Sequence, residues 1–335
     1  MSLLSTIASV AGRLHRLELS LLEEDFQYLK RHHISLPNLR CLGMVAIWGT
    51  GPSQLQPSSV FPNTPLLRDL AIRERISIPD LNHYPNLTKL ELPNVSLGTV
   101  LQILECRPLI IHLIAHLGRT TVHTQSKSPQ TAEHLQSLVL SGSRGGEAAL
   151  NSLTLPHLLH LELHVRQIGS DCFLSFLQRS ACALDHLTLG FIFSRSFEAC
   201  LKALPLLASL EVEVNHRTNV HLCDTLNVRG LLPCLRNLHV QADCKEFDYT
   251  LLPKALWKRR SHVDAAGRIE FVKLDVYRHS YDDDDDQDED HHWPPPHAAA
   301  EFTPLLVDGL RCQLIWEYEK GWPEPWVDPC ATFPY

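Results

Sequence analysis

Histidine and carboxylate alternate at His160, Glu162 and His164, and polar side chains return in the same alternation at His186 and Thr188, at Glu211 and Glu213, at Asn237, His239 and Gln241, and at Lys273, Asp275 and Tyr277. Imidazole and carboxylate ligate metals and exchange protons near neutral pH, so a histidine patch that senses pH or binds a metal is the first chemistry to weigh. On an extended strand His160 and His164 stand about 13 Å apart, at roughly 3.3 Å per residue, too far for one ion. Glu162 lies between them, but a metal also needs ligands converging from neighbouring strands. The expectation is therefore a mixed polar surface that binds another protein, with no metal and no cofactor. Catalytic residues are not expected either. There is no P-loop, no G-x-S-x-G, no H-E-x-x-H and no G-x-G-x-x-G after a strand, and Gly142, Gly145 and Gly146 lack the lysine of a phosphate cradle.

The elements that would carry these side chains follow from a ladder. Leu-x-x-Leu-x-Leu recurs about every 24 residues, clearly at Leu14, Leu87, Leu135, Leu158 and Leu184, and in weaker copies starting at Leu39, Leu67, Ile110, Leu207, Leu235 and Phe271. Pro37, Pro65, Pro85, Pro108, Pro156, Pro205 and Pro233 all sit two residues before a ladder start, where a helix has ended and a strand is about to begin. The spacing predicts an α/β leucine-rich-repeat solenoid, a horseshoe of about 11–12 irregular repeats with parallel strands on the concave face and helices or 3-10 turns on the convex face.

Side chains alternate along a strand, so if the ladder leucines face the core, the third, fifth and seventh positions face the concave surface. That assigns partner binding to Arg16, Glu18, Lys89, Glu91, His112, His160, Glu162, His164, His186, Glu211, Glu213, Asn237, His239, Lys273, Asp275 and Tyr277. His112, His160, His186 and His239 fall on one side of that expected wall.

The net charge of −8 is local. Residues 282–290 hold eight acids and no base, leaving 30 acids against 30 bases elsewhere. A neutral body with one acidic loop lacks the basic stripe of a nucleic-acid binder and gives no reason to expect membrane attachment. The ten cysteines are scattered singly, without a C-x-x-C, so they read as small core residues rather than a zinc site. No signal peptide or run long enough to span a bilayer is evident, which points to the cytoplasm or nucleus.

The domain reading is a repeat solenoid over 1–280, an acidic and proline-rich disordered loop over 281–297, and a last repeat with an aromatic C-terminal cap over 298–335. Lys254, Lys258, Arg259 and Arg260 read as a solvated basic cluster. Thr50–Pro62, Thr120–Thr131 and Ser141–Glu147 read as surface loops.

Leu36-Pro-Asn-Leu-Arg-Cys-Leu, Tyr84-Pro-Asn-Leu-Thr-Lys-Leu-Glu-Leu, Leu155-Pro-His-Leu-Leu-His-Leu-Glu-Leu and Leu306-Val-Asp-Gly-Leu resemble the leucine-rich region of F-box proteins from mushroom-forming fungi. The resemblance implies a ribonuclease-inhibitor-like horseshoe and a substrate receptor for ubiquitin ligation. The F-box that would bind a Skp-type adaptor is not found in these residues, so that adaptor is a doubtful partner. Of the ninth motif positions in the first ten copies, commonly Asn or Cys in the family, only Asn215 conforms. The alternative is a leucine-rich GTPase activator, or another regulator of an enzyme, acting through a rim loop with Arg144 or Arg195.

Overall fold

The computed structural model describes residues 7, 9–32, 34–46, 60–61, 63–73, 81–107, 109–118, 128–142, 145–165, 168–190, 196–243, 247–262, 268–278 and 298–318. The expected loop at 281–297, Arg144, Arg195, the tail beyond 318 and most of Thr50–Pro62 and Thr120–Thr131 lie outside these residues. The chain is mixed α/β and packs as two compact units. Unit 1 is Met1–Leu158 with Arg179–Cys182, and unit 2 is Leu159–Gln178 with Ala183–Tyr335.

Unit 1 holds strands β1 (Arg16–Leu21), β2 (Cys41–Ala46), β3 (Asp69–Arg73), β4 (Lys89–Val95), β5 (His112–Leu117) and β7 (Ser137–Gly142), parallel and ordered as in the sequence. Two-residue strands β6 (Gln130–Thr131) and β8 (Leu153–Thr154) pair separately. Helices α1 (Glu23–His32), α2 (Leu97–Cys106) and α3 (Gly146–Ser152) lie between strands in sequence.

Unit 2 holds β9 (His160–Val165), β10 (His186–Leu189), β11 (Ser209–Val214), β12 (Asn237–Asp243), β13 (Phe271–Arg278) and β14 (Arg311–Tyr318), again parallel and in chain order. Between them run α4 (Ser170–Ser180), α5 (Phe197–Lys202), α6 (His216–Leu226), α7 (Leu251–His262) and α8 (Ala298–Val307).

The prolines do more than separate helix from strand. Each described one occupies the second place of a four-residue turn, as in Leu36-Pro37-Asn38-Leu39, where the Leu39 N–H donates to the Leu36 carbonyl at 3.1 Å. The N–H groups of Leu67, Leu87, Leu158, Leu207 and Leu235 close equivalent turns. Proline fixes φ for this place, and the turn needs no donor there. The first ladder leucine is thereby set against the core. Leu39, Leu67, Leu135, Leu158, Leu207 and Leu235 have no exposed surface, nor do Leu70, Leu138, Leu161, Leu210 and Leu238 at the fourth positions. At roughly 1.5–3 kcal/mol for a fully buried leucine, this ladder is the main stabilising contribution in each unit.

Three expectations need correction. The last ladder copy begins at Ile269, not Phe271: Phe271 pairs in register with Asn237, the first strand residue of β12, and the core residues are Ile269, Val272, Leu274 and Val276. The shift is two residues, so the strand parity survives and Lys273, Asp275 and Tyr277 keep their face.

The helix before Leu235 spans His216–Leu226. Asn215 caps it by accepting from the Thr218 N–H at 3.0 Å, while the Asn215 N–H donates to Thr218 Oγ1 at 2.8 Å.

The stretch 141–147 is not all loop, because β7 runs to Gly142 and α3 starts at Gly146.

The basic cluster is not all solvated. Arg259 and Arg260 are buried in α7, where Arg259 donates to the carbonyls of Leu231 (2.9 Å) and Leu232 (2.7 Å). Arg260 donates to the Ile269 carbonyl (2.8 Å) and to Asp308 Oδ2 (2.7 Å). These guanidiniums fasten turns, answering carbonyls that would otherwise be buried unpaired.

Among the described residues no helix is long and apolar enough to cross a membrane. The described cysteines form no disulfide with one another. Burial pushes Cys200 up to about 11 and Cys223 up to about 12, which keeps them protonated and unreactive at neutral pH.

Candidate functional site

Residues at alternate positions of β9 to β13 share the face opposite the leucine core. In β12 the buried residues are Leu238, Val240 and Ala242, while Asn237, His239, Gln241 and Asp243 are exposed or half-buried. Register then decides which of the displayed residues meet. His239 is flanked in the sheet by Glu211 and Lys273, and Gln241 by Glu213 and Asp275.

The centre of this face is a continuous polar network over β11, β12 and β13. His239 Nε2 lies 2.6 Å from Asp275 Oδ2 and its Nδ1 lies 3.2 Å from Glu211 Oε2. Lys273 Nζ reaches the same Asp275 oxygen at 2.6 Å, and Gln241 Nε2 donates to Glu211 Oε1 at 2.9 Å. Both imidazole nitrogens face ionised carboxylates, which only accept, so both must carry protons and His239 is an imidazolium.

Burial alone would push His239 down, but hydrogen bonds to Asp275 and Glu211 outweigh it and raise the group to about 9. The same bond to His239 holds Glu211 below the usual carboxylate range. For Asp275 burial acts upward, and His239 with Lys273 overcomes it. Two carboxylates and two cations cancel within the network.

The remaining displayed groups lie around this centre. The Tyr277 hydroxyl donates to Glu213 Oε1 at 2.9 Å. Since Tyr277 belongs to β13 and Glu213 to β11, the phenol reaches across β12. Glu162 and His164 sit 3.6 Å apart, and the carboxylate raises the imidazole despite some burial. His160 and His186 pair in register with ring centroids 5.8 Å apart, and His186 Nε2 lies 3.2 Å from Thr188 Oγ1. Asn237 is exposed at the start of β12.

Unit 1 places its expected residues differently. Arg16 and Glu18 pair along one exposed strand at 2.5 Å. Lys89 approaches Asp69 at 3.8 Å, Glu91 stands in register with Ala71 and Ile114, and His112 is exposed at the first residue of β5, in register with Lys89 and Ser137. His116 hydrogen-bonds Ser141. Gly43, Ala71, Ile114 and Val139 fill the middle of this face.

The sequence therefore nominated the network's charged members, but not their connections. Phe271, Arg311 and Gln313 also belong to the displayed rows. Phe271 was misassigned to the core because it mimics a ladder leucine, and the signal that identifies it is Ile269 with Val272, Leu274 and Val276 at the spacing of the other copies. Among the described residues no group of three or more His, Cys, Asp or Glu side chains could hold a metal ion.

No family model and no curated protein matches the chain. Among solved structures, a protein of Bacteroides fragilis is similar over 83% of this chain, with 14% identity and a TM-score of 0.39. The match spans 65% of that protein's length.

Proposed function

We propose that the chain is a leucine-rich-repeat solenoid whose concave strand face binds a protein partner, and that it forms the substrate-recognition portion of an F-box-like ubiquitin-ligase receptor acting in the cytoplasm or nucleus. It is a scaffold, not an enzyme. The observation that carries this reading is the cross-strand network of Glu211, His239, Gln241, Lys273 and Asp275. Displayed side chains that already hold one another lose little freedom on association, so more of the contact energy appears as affinity. Short parallel strands in register give such a surface a rigid backing. The ligase role rests on the resemblance of the repeat phrasing to the fungal F-box proteins.

The test is affinity capture from cells with the native chain and with a Ser209→Arg/Glu213→Lys variant, both positions being displayed on β11. The expected result is a protein retained by the native chain and lost with the variant, accompanied by cullin-ligase components. Equal recovery by both chains would remove the strand face as the binding surface. Partner recovery without any ligase component would remove the receptor role and leave the scaffold.

A further inference from the structure

We infer that the outward face of α7 is a second docking surface of unit 2, taking an acidic stretch of a partner protein whose carboxylates pair with Lys254 and Lys258 beside Trp257. The inference is independent of the strand-face reading above.

The helix sorts its residues by burial. Leu252, Leu256, Arg259 and Arg260 are buried, whereas Lys254, Trp257, Lys258 and Ser261 are exposed. The exposed set has the i, i+3, i+4, i+7 spacing of one helix face. A helix that only covers a core keeps that face polar, but here it carries an indole with 49% of its surface exposed. The neighbouring helix α6, which packs on α7, adds Val220 at 39% exposed.

Charge selects the occupant. α7 holds Lys254, Lys258, Arg259 and Arg260 and no acid. Arg260 is answered by Asp308 at 2.7 Å. Arg259 donates to the carbonyls of Leu231 and Leu232, which do not cancel its charge. Lys254 and Lys258 form no ion pair or side-chain hydrogen bond among the described residues. On α5, by contrast, Lys202 is held by Glu198 at 2.6 Å. Cations left without carboxylates on one helix attract an anionic segment and repel a basic one. The two buried arginines also fasten α7 to the turns beside it, so its outer face is rigid before anything binds.

Trp257 favours a protein segment as that anion. An exposed lysine–carboxylate pair is weak in open water, and an indole packed beside it excludes water and strengthens it. A membrane surface fits less well. Stable attachment takes several signals together, whereas α7 offers two lysines and one indole, and the acid Asp224 is exposed on α6.

Spacing makes the inference specific. Lys254 and Lys258 are four residues apart on a helix, about 6 Å along its axis at roughly 1.5 Å per residue. In an extended peptide residues i and i+2 point to the same side and stand about 6.6 Å apart. The expected motif is therefore two acidic residues separated by one other.

The experiment uses the full chain and fluorescence anisotropy with three short labelled peptides. One carries two glutamates separated by one residue, one has glutamine in their place, and one has the glutamates separated by two residues, on opposite sides of an extended chain. The first should bind best and weaken with added salt. Lys254→Gln/Lys258→Gln should lower its affinity about tenfold, about 1.4 kcal/mol, and Trp257→Ala should lower it by a smaller factor. Lys202→Gln, the same kind of charge change on α5, and Ser209→Arg/Glu213→Lys on the strand face should both leave it intact. Unchanged thermal unfolding of the α7 variants shows that they are folded. No binding of the first peptide, equal binding of the first and second, or equal loss with K202Q would overturn the inference. Loss of peptide binding with Ser209→Arg/Glu213→Lys would move the peptide to the strand face and overturn it too. So would sedimentation of the chain with phosphatidylserine-containing vesicles in the absence of peptide binding, which would assign the face to lipid.

Discussion

The two units display polar residues on the same kind of parallel strand, and in unit 2 the bonds among these residues run across three strands as a network. In unit 1 Arg16 pairs with Glu18 along one strand and Lys89 approaches Asp69 across a 3.8 Å gap, and Gly43, Ala71, Ile114 and Val139 stand in the same rows. In unit 2 three successive strands carry groups of complementary type in register, and His239 can touch carboxylates on both sides at once. Strand spacing explains the difference. A side chain can bridge one inter-strand gap of about 4.8 Å, so continuity requires a donor or acceptor on every strand, and one small residue interrupts it.

The largest expected contrast between the units comes from glycine rather than charge. Gly142 in unit 1 has φ +134°, and a Cβ there would run into the Leu117 carbonyl. Gly190 in unit 2 lies outside the left-handed region, and a Cβ would meet the His164 Cα at 3.4 Å, an ordinary contact. Gly142→Ala should destabilise unit 1 by about 3 kcal/mol through backbone strain and overlap, whereas Gly190→Ala should cost less than about 1 kcal/mol. Urea unfolding of the two variants makes the comparison. Equal shifts would mean that the close approach at Gly142 is relieved by movement of Leu117.

The network gives unit 2 a pH signature. His239 stands at about 9 when folded against an ordinary 6.5, so its contribution is complete below pH 6.5 and disappears as pH rises through 9. Glu211 and Asp275 are shifted down, so their contributions are present above about pH 4.5 and fall away in acid. Stability from this cluster is greatest between those limits. For His239 the difference amounts to about 3 kcal/mol at most. Unfolding midpoints from pH 6 to 9.5 should decline for the native chain and decline less for His239→Gln. Parallel profiles would show that His239 is not held between the two carboxylates.

Asp275→Asn tests the same cluster at fixed pH, with a smaller effect. The amide leaves His239 and Lys273 without the shared ionised acceptor, which should cost about 2 kcal/mol near pH 6. The part of that loss owed to His239 should vanish at pH 9.5, where His239 sheds its proton in the native chain, and the part owed to Lys273 should remain. A loss that persists unchanged at high pH would assign it to packing around Asp275.

Much of this was legible in the sequence, for reasons that differ by level. The strand positions follow from a leucine spacing reinforced by proline, two independent signals for one register. The displayed rows follow from parity, and parity is robust: the two-residue slip at Phe271 left Lys273, Asp275 and Tyr277 on their face. The pairing of Glu211 with His239 and of His239 with Asp275 was not legible, because it depends on side-chain reach across strands 28 to 36 residues apart in sequence. Arg259 and Arg260 were misread for a related reason. A run of basic residues resembles a solvated patch until the helix is placed, and only then do two guanidiniums face the carbonyls of Leu231, Leu232 and Ile269.

The smallest predicted effect completes the contrast. Lys89 keeps 44% of its side chain exposed and its nitrogen stands 3.8 Å from Asp69, at the outer limit of an ion pair. An exposed pair in water is screened, and holding the long lysine side chain opposes the Coulomb gain. Lys89→Gln should therefore change unit 1 by less than about 0.5 kcal/mol, with no pH dependence between 6 and 9.5. Lys273→Gln, the corresponding change in unit 2, should cost more, because its ammonium and His239 share one half-buried oxygen of Asp275. If the two lysine variants unfold at the same urea concentration, the network is no stronger than the isolated pair, and continuity across strands adds nothing to the stability of that face.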